Sequence, residues 1–117
     1  MSKLFCAIAA PLTFLWGSVI MAAPFLAVAS WYGPGFYGNQ TANGEVYSGT
    51  EYTAAHKSLP FGTRVRVTNT RTGQTIVVRV NDRGPYVGPR EFDLSRAAAI
   101  AVGLIDHGVA TLQFEIL

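Results

Sequence analysis

From Thr63 to Asn69 the chain alternates apolar and polar side chains, with Val65 and Val67 set between Arg64, Arg66 and Thr68. A period of two predicts a half-buried strand. Arg71-Thr72-Gly73-Gln74 follows as a hairpin signal, and Thr75 to Val80 reads as the partner strand. The same alternation returns at the end, where Leu112, Phe114 and Ile116 interleave with Thr111, Gln113 and Glu115 between Val109 and Leu117. Ala29-Ser30-Trp31-Tyr32-Gly33 predicts a short aromatic strand, and Tyr52 to His56 a second short strand or turn. Gly33 to Gly49 is rich in Gly and Asn and reads as a loop. One segment has a different period: Ser95 is an N-cap for a small helix over Arg96–Val102, and Gly103 fits its C′ position. Short strands, one small helix and no repeat predict a compact all-β barrel.

The first 29 residues follow another pattern. Lys3 precedes an apolar stretch from Leu4 to Ala29 that ends on Ala27-Val28-Ala29. A basic start, an apolar run and a small-residue site predict a secretory signal peptide over 1–29, with cleavage at Ala29 or, at Met21-Ala22-Ala23, after Ala23. An uncleaved segment would instead be a membrane anchor, against which Pro11 and Pro24 argue. The rest, 30–117, has room for one domain among the 117 residues. The one cysteine, Cys6, lies in the apolar segment, so the domain is expected to stand without a disulfide.

Charge narrows the partners. The formal net charge is +2, too small for a nucleic-acid footprint. Seven of the nine basic residues are arginines between Arg64 and Arg96, which reads as a solvated strand face or a mildly basic cleft. No His or Cys cluster has metal spacing and no glycine loop suits a phosphate, so no metal or cofactor is expected.

Six motifs stand in order: Ala29-Ser30-Trp31-Tyr32-Gly33, Thr41-Ala42-Asn43-Gly44-Glu45, Thr53 to Thr63, Val65-Arg66-Val67-Thr68-Asn69, Val80-Asn81-Asp82-Arg83-Gly84-Pro85 and Phe92-Asp93-Leu94-Ser95. Together they resemble the catalytic domain of the rare lipoprotein A family of septal lytic transglycosylases. The resemblance implies a six-stranded double-psi β-barrel with one or two short helices, exported to the periplasm or envelope. It implies cleavage of peptidoglycan between N-acetylmuramic acid and N-acetylglucosamine without water, leaving a 1,6-anhydro end, with a preference for strands stripped of stem peptides. Neither a plausible lipobox nor the family's sporulation-related repeat is found in the sequence, which fits a secreted or periplasmic minimal form; a monomer is expected. Expansins share the barrel, so a glycan-binding module that does not cut is the alternative.

Breaking a glycosidic bond needs a proton donor for the leaving oxygen and stabilisation of an oxocarbenium-like centre. A transglycosylase uses the sugar's own 6-hydroxyl as nucleophile, so one acid/base can serve twice. By resemblance that residue is Asp82, with Glu45 and His56 as its catalytic companions. Such an acid needs burial or a neighbouring carboxylate to hold its proton near neutral pH; Glu45 is expected as that neighbour or as a stabiliser of positive charge on the sugar ring, and His56 as an orienter of Asp82 or a substrate contact. Without the resemblance, Asp82 reads as an acceptor in the Arg83-Gly84-Pro85 turn. Tyr32, Asn81 and Arg83 are the expected substrate contacts, Tyr32 as a stacking floor for a pyranose ring. Arg83 is expected to point away from Asp82 or to grip substrate. Asp93 is assigned to the helix start, and His107 to a loop.

Overall fold

The computed structural model describes residues 23–117. The apolar segment up to residue 22, with Lys3 and Cys6, on which most of the expected signal peptide falls, lies outside the described residues. Six strands close into a barrel: β1 (Phe25–Trp31), β2 (Thr53–His56), β3 (Arg64–Thr68), β4 (Thr75–Asp82), β5 (Arg90–Leu94) and β6 (Val109–Ile116). Around the barrel they run β1-β5-β2-β4-β3-β6. The pairs β1/β5 and β2/β4 are parallel and the other four antiparallel. Each strand therefore has two partners and no edge is left unpaired. The expected six-stranded barrel is observed, with one α-helix, α1 (Arg96–Ala101), and one 3₁₀ turn at Pro34–Phe36 among the described residues.

Alternation sorts the side chains. Ala27 and Ala29 of β1, Val65 and Val67 of β3, Val78 and Val80 of β4, Phe92 and Leu94 of β5, and Leu112 and Phe114 of β6 fill the interior. Phe92 and Phe114 stack nearly parallel with centroids 4.0 Å apart, and Phe25 leans on both. Helix α1 begins as expected: Ser95 Oγ accepts from the Ala98 N–H, and the same hydroxyl donates to the Glu51 carbonyl. It ends at Gly103, whose φ of +78° suits a residue without a Cβ.

Two strands differ from the sequence reading. β1 starts at Phe25, not Ala29, so five residues counted with the leader belong to the barrel wall. Phe25 is drawn in by its two aromatic neighbours, which a reading of local apolarity alone cannot separate from a leader. β4 runs to Asp82 rather than stopping at Val80, so Asp82 is the last residue of a strand and not part of the turn.

Candidate active site

The end of β4 is irregular, and the irregularity aims Asp82. Ala54 pairs with Val80, but Ala55 pairs with Asp82; Asn81 is the extra residue of a bulge. Since Val80 points inward, strict alternation would turn Asp82 inward too. The slipped register sets it beside Ala55 instead, on the outer face, where Ala55 packs with Tyr32 and Tyr47.

Asp82 is tightly held there. Its Oδ2 accepts from the Tyr32 hydroxyl at 2.6 Å, and its Oδ1 accepts from the backbone N–H of Ala42 at 2.8 Å and of Arg83 at 2.9 Å. The Ala42 donor comes from the loop 41–45. That loop closes on itself through Gly44 N–H to Thr41 O and Thr41 N–H to Glu45 O, and Gly44 takes a φ of +94°. A further bond from Asn43 N–H to the Asn81 carbonyl lays the loop on the strand end.

Glu45 fastens the same loop. Its carboxylate takes a two-pronged bond from the Arg79 guanidinium, at 2.6 and 3.0 Å, and further bonds from Asn81 Nδ2 and Asn43 Nδ2. Chiefly through Arg79, then through Asn81 and Asn43, its pKa falls to about 2. Glu45 thus stays ionised and has all its oxygen capacity directed at this chain's own donors.

The expected companions are placed differently. His56 makes no hydrogen bond to Asp82. Its Nδ1 accepts from the N–H groups of Ser58 and Leu59, which puts the ring proton on Nε2, 3.4 Å from Glu91 Oε2. Its ring leans on Phe92 at 4.7 Å, on the inner side of β2, away from the Asp82 face. Tyr32 is not an open stacking floor: its ring is buried against Tyr47 and Phe36, and its role is to hold Asp82. Burial first, and the bond to Asp82 second, push its phenol pKa up. Asn81 is largely buried and gives one amide N–H to Glu45, so it props the loop. Arg83 does point its side chain away from the Asp82 carboxylate. Its guanidinium lies 4.0 Å over the Phe61 ring and reaches the His56 carbonyl.

One acid was assigned to the wrong task. Asp93 does not cap α1, because Ser95 does so itself; Asp93 Oδ1 accepts from Ser30 Oγ at 2.9 Å. It lies on the same outer face as Asp82. The signal was present in Phe92-Asp93-Leu94, where two large apolar neighbours pointing inward force the aspartate outward. Arg79, the partner of Glu45, was hidden because a bidentate contact across 34 positions leaves no local pattern.

Comparison with known proteins agrees with this geometry. The family model described as lytic transglycolase matches residues 26–114. The chain is 57% identical over 90 residues to a probable endolytic peptidoglycan transglycosylase RlpA of Synechocystis sp., covering 77% of this chain and 28% of the relative. It is 49% identical over 90 residues to the endolytic peptidoglycan transglycosylase RlpA of Campylobacter jejuni, covering 77% of this chain and 33% of that one. The chain spans between a quarter and about a third of the length of these relatives. Among solved structures, the Streptomyces papain inhibitor superposes with a TM-score of 0.66 at 22% identity, over 83% of this chain and 96% of that one. The apo expansin of Clavibacter michiganensis gives 0.63 at 23% identity, over 81% and 50%. The likeness to the two solved structures is one of fold alone. The closed six-stranded barrel, the family match over nearly all of it and the identity to the RlpA relatives together place the chain in the RlpA family of lytic transglycosylases, as its double-psi β-barrel domain.

Proposed function

We propose that this barrel is an endolytic lytic transglycosylase acting on peptidoglycan glycan strands, with the reaction centred on Asp82. The observation that carries the reading is the bulge at Asn81, which turns Asp82 out of the barrel onto a face where three donors fix its orientation. Bulges recur beside active sites for this reason. The bond broken joins C1 of N-acetylmuramic acid to O4 of N-acetylglucosamine, and the 6-hydroxyl of the first sugar closes onto C1 to leave a 1,6-anhydro end. The exposed Tyr86, together with Phe61 under the Arg83 guanidinium, offers apolar ring faces near the strand end for pyranose C–H groups. Strands without stem peptides are the preferred substrate, and the domain acts as a monomer; a barrel with no open edge supports the latter.

The leader is an export signal, and cleavage falls at or before Ala23. A cut after Ala29 would remove Phe25 and Ala27 from the core, whereas one at Ala23 leaves β1 whole. The mass of the exported protein tests this, and a mature chain starting at Ser30 would defeat it.

The reaction is tested with purified sacculi, intact and amidase-stripped, and mass spectrometry of the soluble fragments. Wild type is expected to release anhydro-ended glycan, and Asp82→Asn to release at least about a hundredfold less. Reducing ends would mean a hydrolase. Co-sedimentation of wild type with stripped sacculi without any product would mean a glycan-binding module.

A further inference from the structure

Register places a second carboxyl in line with the first. Ser30 of β1 pairs with Asp93 of β5, Asp93 pairs with Ala55 of β2, and Ala55 pairs with Asp82 of β4. The four residues form one row across the outer face of four adjacent strands. Asp82 and Asp93 flank Ala55 from opposite sides, so their backbones lie two strand spacings apart, roughly 10 Å. Ala55 has no side chain beyond its Cβ, and Tyr32 packs against it with its hydroxyl committed to Asp82.

The two acids are dressed differently. Both oxygens of Asp82 accept hydrogen bonds from the protein. Asp93 is anchored through Oδ1 alone, by Ser30, whose hydroxyl in turn accepts from Arg90 Nη1 at 2.9 Å. Asp93 Oδ2 has no partner in the protein among the described residues, and none of the described buried side-chain oxygens lacks one; Oδ2 therefore opens to solvent. A carboxyl with one oxygen fixed and the other turned outward is built to meet a substrate atom.

We propose that Asp93 is a second catalytic carboxyl of this site, the one that gives its proton to the leaving O4, while Asp82 faces the positive charge that develops at C1. The inference rests on the transglycosylase reading above, and it divides the acid/base work that the family resemblance assigns to Asp82. The Oδ2 proton passes to O4 as the C1–O4 bond breaks and its electron pair leaves with O4. The 6-oxygen then bonds to C1, and its proton returns to Asp93. The acid is restored, and no water is consumed.

The surroundings favour this division. Burial raises the Asp93 pKa, the Ser30 bond and the Arg90 charge pull it down, and the Asp82 charge raises it. The charged and titratable groups that face Asp93 are Arg90 on its own strand, Asp82 on β4, Tyr32 after β1 and Tyr47 of the loop. Burial and a neighbouring carboxylate, which raise a carboxyl's pKa, are the setting of a proton donor.

The test uses the exported chain on amidase-stripped sacculi, with Asp93→Asn and Arg90→Gln beside wild type. Asp93→Asn is expected to lose anhydro-end formation by at least about a hundredfold, with thermal midpoint and co-sedimentation retained. Arg90→Gln removes a charge that holds the Asp93 proton loosely. The alkaline limb of its pH–rate profile is expected to move to higher pH, and the Asp93 carboxyl resonance to titrate later by the same amount. A merely structural Asp93 would still titrate later without Arg90, but the pH–rate limb would stay where it is. If Asp93→Asn fails to fold, the Arg90→Gln limb decides. Wild type that cuts, with an Asp93→Asn variant within tenfold of it or an unmoved limb, overturns the assignment alone. Wild type that makes no anhydro ends defeats the reaction itself.

Discussion

Glu45 keeps its charge where water still reaches it, and its partners show what that charge is for. Arg79 holds it with both terminal nitrogens, and the loop it closes delivers the Ala42 N–H to Asp82. Its carboxyl is depressed from 4.5 to about 2 in the folded state. A depressed carboxyl contributes stability that is present above its unfolded pKa and is lost as pH falls through the folded value. Glu45→Gln is therefore expected to lower the urea midpoint at pH 7, and the gap to wild type to close between pH 4.5 and about 2. With its side chain 37% exposed, solvent screening holds the effect to about 1 kcal/mol or less. The same clamp makes a claim about turnover. If Glu45 acts by fixing the loop, Arg79→Met lowers turnover as far as Glu45→Ala, and the double variant falls no further. An Arg79→Met enzyme with full activity would show Glu45 working on the substrate itself. Of these residues the sequence disclosed Glu45 and Asp82 through their motifs. It could not disclose Tyr32 as the donor to Asp82, because the two are 50 positions apart and meet only when β1 and β4 fold onto one face.

At the scale of elements, the alternating strands β3, β4 and β6 and the capped helix were legible because each carries its own period. The bulge at Asn81 was not. Val80-Asn81-Asp82 reads as plain alternation, and only pairing with β2 shows that one residue is passed over. The start of β1 was hidden for the opposite reason: Phe25-Leu26-Ala27-Val28-Ala29 is apolar enough to pass for the end of a leader. Its pairing is unambiguous, with Phe25 opposite Phe114 and Ala29 opposite Ala110 on β6. A chain that begins at Ser30 loses most of the strand that closes the barrel between β5 and β6. It is expected to show no cooperative thermal transition and a collapsed near-ultraviolet dichroism signal, whereas a chain that begins at Pro24 melts as the full domain does. Folding of the shorter chain with an unchanged midpoint would mean that β1 contributes little beyond Ser30 and Trp31.

At the scale of the whole molecule, closure ties the site to the core. Phe92 is fully buried, with Phe114, Phe25 and His56 around its ring. The next residue along is Asp93, whose outward position depends on Phe92 pointing in. Phe92→Ala deletes the ring and leaves a cavity that a barrel paired on every side cannot readily collapse, at a cost of about 3–5 kcal/mol. For a domain of this size that is a large share of the total stability. Because no strand can leave without breaking two pairings, the loss should appear as one event and not as local fraying near β5. Trp31, at the end of β1, is the only tryptophan after residue 16 and packs against the core, so its fluorescence reports the barrel wall. The near-ultraviolet signal of Tyr32 and Tyr47 reports the outer face where Asp82 is held. In both wild type and Phe92→Ala the two probes and the far-ultraviolet signal are expected to give one coincident urea transition, shifted to lower urea in the variant. A tyrosine signal that melts ahead of Trp31 would show that the site opens on its own, and the carboxylates would then be positioned by the loops rather than by the barrel.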